Sequence, residues 1–215
     1  MIDWTEVETV LLDMDGTLLD LHFDDFFWQQ QLPLKWGEMN GIDIEEARSR
    51  LLPIFRKTEA SLSWYCLDYW SEQLQMDVFK LSFDISHLIS LRPYVIEFLS
   101  HLDKLDKNIV LVTNSHEKFI ELKMQKTGIE NHFHHMFNSH DFGHPKENTR
   151  FWEVLAENIH FANKSTVLFD DNLSVLRSAR QYGIEHLLGI ARPSSQAPLK
   201  DTAEFKAVSS FRELL

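Results

Sequence analysis

The most constraining feature of this 215-residue sequence is a short apolar run that ends in two carboxylates one residue apart. Val10–Leu12 is apolar throughout, which is typical of a central parallel strand covered on both faces. Asp13 and Asp15 follow directly, and Gly16 allows a sharp turn after them. Open parallel sheets bind their ligands at the carboxyl ends of the strands. An acid pair there can supply a nucleophile and a proton-transfer group, or hold a divalent cation.

Two later apolar runs also end in polar side chains. Residues 108–112 lead into Thr113 and Asn114, whose hydroxyl and amide groups can hydrogen-bond an oxyanion or cap the helix that follows. The other run, residues 166–169, ends in an acidic pair, Asp170 and Asp171, and so repeats the pattern of the run Val10–Leu12. Because strand ends of a parallel sheet meet at one edge, these residues are candidates for a single site.

The alternation of apolar runs with helical patterns predicts an α/β fold. We expect a Rossmann-like core of three layers, in which helices cover both faces of a parallel sheet. The patterns predict strands over 9–12, 108–115, 136–139, 166–171 and 187–190, and helices over 93–105, 116–127, 147–159 and 173–182.

Residues 19–90 interrupt this alternation, because they show helical spacing and no convincing strand. We predict an all-helical cap domain over 19–90, inserted into a core domain made of residues 1–18 and 91–215. Inside the cap we expect breaks at Pro33, Gly37 and Gly41, a helix that begins at Asp43 and kinks or ends at Pro53, and a third helix over 61–75.

The predicted cap is rich in aromatic residues, which can either form the core of a small helical lid or stack on a purine base. Packing in the core is the default for each ring taken singly, and both roles can coexist in one cap. Four of the six tryptophans lie in this segment: Trp28, Trp36, Trp64 and Trp70.

Composition narrows the classes of partner. With 33 acidic and 21 basic residues, the net charge of −12 argues against binding a nucleic-acid polymer or an anionic membrane. It permits a small anionic substrate, since a few local cations and a metal ion can hold a phosphate.

The single cysteine, Cys66, excludes an internal disulfide. With no signal-peptide pattern and no long apolar run, we expect a cytoplasmic protein, as a monomer or weak dimer.

Lys146 follows Pro145 in a loop just before the helix predicted to begin at 147. The helix dipole disfavours a cation at a helix start, so a lysine there indicates that an anion lies nearby. The alternative is an ordinary solvated lysine.

These residues together resemble a known family. Asp13-Met14-Asp15-Gly16-Thr17-Leu18 resembles the first signature, D-x-D-G-T-[LV], of the haloacid dehalogenase-like (HAD) hydrolases. Thr113 matches the second signature, Lys146 the third and the pair Asp170-Asp171 the fourth, in the same order along the chain. One departure is Val175, which stands where many relatives carry a further acid.

The resemblance implies a phosphatase that hydrolyses phosphate monoesters through an aspartyl-phosphate. Asp13 would attack the phosphorus, while Asp15 would protonate the leaving oxygen and later deprotonate water. Thr113, Asn114 and Lys146 would bind the phosphate oxygens, with Asp15 also at this subsite.

The resemblance also implies a magnesium cofactor. The Mg²⁺ ion would be held by Asp13, by a backbone carbonyl at Asp15 and by Asp171, with Asp170 as the alternative ligand or a structural neighbour. The cap would close over the site and select the leaving group.

Two stretches, Trp64–Leu74 and Phe142–Glu147, are similar to the bacterial GMP/IMP nucleotidase branch, which implies a nucleoside monophosphate substrate. The residues by themselves do not specify a purine. A sugar phosphomutase and a small sugar-phosphate or phosphoglycolate phosphatase keep the same four signatures. The dehalogenases of the family lack an acid at the position of Asp15, which argues against carbon–halogen cleavage. A non-enzymatic phospho-acceptor signalling domain carries similar residues in another order and has no helical insertion.

Overall fold

The computed structural model describes residues 2–59 and 61–215. Met1 and Ala60, which fall in the predicted core and cap ranges, lie outside the described residues.

A parallel sheet forms the centre of the molecule, with the strand order β3-β2-β1-β4-β5-β6. The first strand, β1, lies between β2 and β4 and is buried along its whole length, as its uninterrupted apolar sequence predicts. The strands are β1 (Thr9–Leu12), β2 (Asn108–Thr113), β3 (His135–Asn138), β4 (Thr166–Asp170), β5 (His186–Ile190) and β6 (Lys206–Val208).

Helices cover both faces of this sheet, which confirms the predicted three-layer α/β fold. Neighbouring side chains of β1 point to opposite faces, so Leu12 packs with Phe98 on one side and Leu11 with Trp152 on the other. No helix among the described residues is long and apolar enough to span a membrane. The helices are α1 (His22–Phe26), α2 (Leu32–Asn40), α3 (Ile44–Thr58), α4 (Leu67–Leu74), α5 (Leu81–Asp84), α6 (Val95–Lys104), α7 (Glu117–Thr127), α8 (Ser139–Phe142), α9 (Thr149–Asn158) and α10 (Leu173–Tyr182).

The segment between β1 and β2 contains helices and turns but, among its described residues, no β-strand. Within this segment, the apolar side chains of residues 23–85 form a cluster of their own around Phe27, Leu51 and Trp70, and Phe119 of α7 belongs to the same cluster. The helical segment, α1 to α5, therefore packs against α7. The division of the chain into a core domain and a cap domain stays a prediction.

The first helix of this segment does not break at Pro33, contrary to our prediction. Between α1 and α2 the chain forms a π-helical segment, Phe27–Gln31, so the helix is continuous. Pro33 has no N–H to donate to the carbonyl of Gln29, four residues earlier. Arg48 of α3 supplies the missing donor, with Nε 3.0 Å from that carbonyl oxygen. A side chain from another helix thus compensates for the proline.

At Pro53 we expected a kink or an end, and the end does not occur, because α3 continues to Thr58. A proline in a helix interior is unfavourable by about 3 kcal/mol. Pro53 and Ser49, whose carbonyl loses its donor, are both exposed, so water can bond that carbonyl. Beyond the proline, the Phe55 ring packs edge-to-face on Trp28 and Trp70, with centroids 6.2 and 5.0 Å away. This packing holds the last turn of α3 in place.

Two other predicted boundaries also differ. Gly37 does not interrupt α2, whereas Gly41 ends it. The helix predicted over 61–75 is divided into a 3-10 turn, Leu62–Tyr65, and α4. The division occurs at Cys66, whose Sγ accepts the N–H of Tyr69 at 3.4 Å and so caps α4.

Candidate active site

The predicted site residues lie together at the carboxyl ends of β1, β2 and β4. Asp13 follows β1, Thr113 ends β2 and Asp170 ends β4, and all three side chains are buried. They face a cavity of about 490 Å³. The predicted site residues that line this cavity are Asp13, Asp15, Thr113, Asn114, Lys146, Asp170 and Asp171.

Lys146 lies at the centre of the acidic residues, with only 2% of its surface exposed. Its Nζ donates to Asp13 Oδ1 at 2.6 Å, to Asp170 Oδ2 at 2.7 Å and to the Val112 carbonyl at 3.1 Å. Its backbone N–H donates to Asn114 Oδ1 at 2.9 Å. Burial alone would lower the pKa of Lys146, but the charges of the two carboxylates outweigh burial and raise it. Lys146 is therefore a fixed positive charge beside Asp13.

Asp13, Asp170 and Asp171 form a group that fits a divalent cation. Each contributes a carboxylate oxygen within 4.8 Å of the others. Burial, followed by the charges of neighbouring groups, raises the pKa of Asp13 to about 7 and those of Asp170 and Asp171 to about 6, although Lys146 opposes all three shifts. Asp13 Oδ2 is buried and has no hydrogen-bond partner among the described residues. Crowded carboxylate oxygens with excess negative charge are the ligands that Mg²⁺ and Ca²⁺ prefer.

The two adjacent acids of β4 have different surroundings. Both oxygens of Asp170 are engaged, since Oδ2 accepts from Lys146 and Oδ1 accepts the N–H of Asn172 at 2.8 Å. Asp171 instead meets Lys200, whose Nζ donates to the Asp171 carbonyl at 2.6 Å and lies 3.4 Å from Oδ2. The Asp171 carboxylate is thus the freer of the two to bind a cation.

Gly16 is required by the position of Asp171. The glycine has φ +83°, and a Cβ built on it would lie 2.9 Å from Cγ of Asp171. A side chain at this turn would push the carboxylate out of the acidic group.

Asp15 turns toward a partner that neither motif nor spacing indicated. Lys123 of α7 places Nζ 2.7 Å from Asp15 Oδ1, and 2.8 and 2.9 Å from the two carboxylate oxygens of Asp24 in α1. The Lys123 side chain is 1% exposed, and its Nζ lies 5.0 and 5.1 Å from the ring centroids of Phe23 and Phe119. The only sequence signal is a lysine at a position of α7 where helical spacing expects a core residue.

Glu147 joins the helical segment to the sheet edge, and it too was not predicted. Tyr65 donates its hydroxyl to Glu147 Oε1 at 2.5 Å, and Asn172 donates to the same oxygen at 3.1 Å. Asn114 donates to Oε2 at 2.9 Å. Burial, together with the Glu147 charge, raises the pKa of Tyr65, so its hydroxyl stays protonated.

The wall of the cavity formed by the helical segment is aromatic, with a polar edge. On that edge Gln29 Nε2 donates to Asp25 Oδ1 at 3.4 Å. Trp36 packs against the helical cluster and does not line the cavity, whereas other rings of the helical segment face the cavity. The aromatic residues that line it are Trp28, Phe55, Trp64, Tyr65, Trp70 and Phe119.

Comparison with known proteins finds a matching family model and a relative of nearly the same length. A family model described as haloacid dehalogenase-like hydrolase matches residues 7–183. The chain is 38% identical over 214 residues to the GMP/IMP nucleotidase YrfG of Escherichia coli (strain K12), covering 100% of this chain and 96% of that protein.

Solved structures show the same fold. A HAD phosphatase from Thermococcus onnurineus has a TM-score of 0.80 at 22% identity, covering 97% of this chain and 96% of that one. The HAD-hydrolase YfnB from Bacillus subtilis, in a magnesium-bound form, has a TM-score of 0.68 at 17% identity, with coverages of 97% and 96%.

Proposed function

Because this chain belongs to the haloacid dehalogenase-like hydrolase family and is a phosphoric monoester hydrolase, we propose that it is a magnesium-dependent purine 5′-nucleotidase acting on GMP and IMP. The observation that carries this proposal is one cavity lined by two unlike groups of residues. Asp13, Lys146 and Asp171 at the sheet edge form one group, and aromatic rings of the helical segment form the other. Its volume of about 490 Å³ falls in the usual range of ligand cavities. The identity to a GMP/IMP nucleotidase supports the choice of substrate.

In the proposed reaction, Asp13 is the nucleophile. Lys146 holds Oδ1 of Asp13 by a charge-assisted hydrogen bond, and Oδ2 keeps the lone pairs that attack the phosphorus. A bond forms between this oxygen and phosphorus as the bond from phosphorus to the leaving ester oxygen breaks. Asp15 gives its proton to that oxygen, so the nucleoside leaves as an alcohol.

Water then completes the cycle. Asp15, now ionised, takes a proton from the water that attacks the phosphorus, and the bond between phosphorus and Asp13 breaks. Asp13 is regenerated as a carboxylate, and inorganic phosphate is released.

The phosphate oxygens are bound by the strand-end residues. Thr113 Oγ1 accepts the N–H of Ser115 at 3.0 Å, which leaves its own O–H free to donate to the phosphate. Lys146 contributes its charge, and Asn114 is held in place by Glu147 and by the backbone of Lys146. Asp13, Asp171 and the backbone carbonyl of Asp15 would hold Mg²⁺, which supplies positive charge against the repulsion between Asp13 and the phosphate.

The experiment is a measurement of phosphate release from GMP, IMP, AMP, UMP, glucose 6-phosphate and phosphoglycolate, each with Mg²⁺ and with a chelator. We expect release that depends on Mg²⁺ and favours GMP and IMP. Asp13→Asn should abolish it, whereas Asp106→Asn, an exposed acid in the loop before β2, should leave it unchanged.

Other outcomes would overturn parts of the proposal. A preference for a sugar phosphate or phosphoglycolate would keep the chemistry and replace the substrate. Failure to turn over any ester, with a phosphorylated Asp13 trapped from a sugar bisphosphate, would identify a phosphomutase. Activity that survives both the chelator and Asp13→Asn would exclude the mechanism.

A further inference from the structure

Lys123 is a buried cation for which the proposed reaction provides no role. It belongs to α7, whereas the two carboxylates it contacts lie on different parts of the chain: Asp15 follows β1, and Asp24 is in α1. The lysine therefore connects the group proposed to transfer protons with the first helix of the helical segment.

We propose that Lys123 is a positioning residue, which orients the Asp15 carboxyl group toward the leaving oxygen of the substrate. This inference rests on the proposed function. Lys123 Nζ engages Asp15 Oδ1 at 2.7 Å, so Oδ2 is the oxygen that carries the transferred proton. A general acid acts only within hydrogen-bond reach of the atom it protonates. Fixing one carboxyl oxygen fixes the direction of the other.

The surroundings of Lys123 restrict where its ammonium group can go. The ammonium lies over the rings of Phe23 and Phe119, at 5.0 and 5.1 Å from their centroids. Asp24 also holds it, through both carboxylate oxygens at 2.8 and 2.9 Å. The ammonium therefore cannot swing away without leaving a carboxylate unpaired in a largely buried site.

Stability alone is a poor explanation of this arrangement. Burying an ion pair has a desolvation cost that often cancels the attraction, and here two carboxylates share one ammonium. The arrangement does, however, make the orientation of Asp15 depend on the packing of α1 against α7, since Asp24 and Phe23 both belong to α1. Contact between the helical segment and the sheet edge thereby prepares the general acid.

The test uses two substrates that differ in their need for a proton. The first substrate is the alkyl phosphate that is hydrolysed best in the substrate panel, which is GMP by our proposal. Its alkoxide is a poor leaving group that requires protonation, whereas p-nitrophenyl phosphate releases a stable phenolate. For Lys123→Met we expect kcat/KM for the alkyl phosphate to fall about 100-fold, a typical contribution of general acid catalysis. We expect kcat/KM for p-nitrophenyl phosphate to fall far less, and KM for the alkyl phosphate to stay near the wild-type value.

Three further variants complete the design. Lys126→Met makes the same change at an exposed position of α7 and should leave both substrates unaffected. Lys123→Arg keeps a cation and should restore part of the loss. Asp24→Asn keeps Lys123 and removes one of its anionic partners. It should also lower kcat/KM for the alkyl phosphate more than for p-nitrophenyl phosphate, but by a smaller factor than Lys123→Met. If Lys123→Met does not fold, Asp24→Asn and Lys123→Arg carry the comparison.

Three results for Lys123→Met would each overturn the positioning role. These are an equal fall in kcat/KM for the two substrates, a fall that arises from a higher KM, and an unchanged kcat/KM. Wild-type protein that hydrolyses neither ester would instead refute the proposed function, so the two failures are distinguishable.

Discussion

At the scale of single residues, Gly16 leaves no room for a side chain beside the Asp171 carboxylate. We predict that Gly16→Ala both destabilises the protein and weakens metal binding, because the new methyl group would displace the Asp171 carboxylate. The left-handed φ alone accounts for about 1 kcal/mol of the lost free energy of unfolding. Urea unfolding would measure the stability, and the Mg²⁺ concentration for half-maximal activity would measure the metal site.

Gly128→Ala is the matched control for this prediction. Gly128 has φ +68° and nothing within 4 Å of the position its Cβ would take. It should therefore show the loss of stability without any change in the Mg²⁺ requirement. An unchanged Mg²⁺ requirement in Gly16→Ala would contradict the importance of the close approach.

A second prediction at this scale concerns the aromatic wall. We expect Trp28→Leu to raise KM for GMP about tenfold, since stacking of a base on an aromatic ring contributes about 1–3 kcal/mol. The KM for a phosphate ester without a base should change little. Trp36→Leu removes a tryptophan that packs in the same helical cluster but does not line the cavity, so it serves as the control. Equal changes in KM for both variants would show that the effect is on packing.

At the scale of elements, the two prolines inside helices have different consequences. We predict that Pro53→Ala raises the free energy of unfolding by about 1–2 kcal/mol, because alanine restores a donor for the Ser49 carbonyl and favours the helix. Pro33→Ala should gain less, since Arg48 already donates to the Gln29 carbonyl. Chemical denaturation of the two variants provides the comparison. A larger gain at Pro33 would mean that the Arg48 contact does not compensate for the proline.

At the scale of the whole molecule, the acidic group links stability to pH and to metal. In the metal-free protein, burial and mutual repulsion raise the pKa values of Asp13, Asp170 and Asp171 above the ordinary value of about 3.9. The folded state then binds more protons than the unfolded state between about pH 4 and pH 7, so its stability falls as the pH rises through this window. A divalent cation that binds the ionised carboxylates, as we propose for Mg²⁺, would reverse that loss.

We therefore predict that Mg²⁺ raises the melting temperature much more at about pH 8 than at about pH 5. Thermal unfolding at both pH values, with Mg²⁺ and with a chelator, measures the difference. Asp171→Asn removes one carboxylate and should shrink the Mg²⁺ effect at the higher pH. An equal Mg²⁺ effect at both pH values would mean that these carboxylates are not the binding group.

Much of the fold could be predicted because it depends on local sequence. The strand predicted over 108–115 begins at Asn108 as expected but ends two residues earlier, at Thr113, and the strand predicted over 136–139 is displaced by one residue. The break predicted at Pro33 was wrong, and α3 does not end at Pro53, because contacts from other helices override the local preference of proline. The short last strand, β6, carried no recognisable pattern in the sequence.

The candidate site divides in the same way. Acids, a hydroxyl and an amide at the ends of apolar runs are visible in the sequence, and the topology of a parallel sheet brings such ends to one edge. Lys123 and Lys200 stand in no motif, the stretch that contains Glu147 gave that residue no role, and Lys123 reaches Asp15 across 108 positions of the chain. Such contacts depend on how α7, the helical segment and the last loop pack on the sheet.

By itself, therefore, the sequence determined the parallel α/β sheet, the helical insertion and the residues offered at the strand ends, since apolar periodicity and strand termination are local properties. Only the tertiary structure decided which oxygen of Asp13 is held by Lys146, that Asp171 lies against Gly16, and that a buried lysine joins Asp15 to α1. These depend on side-chain packing between segments far apart in the chain, which no local pattern encodes.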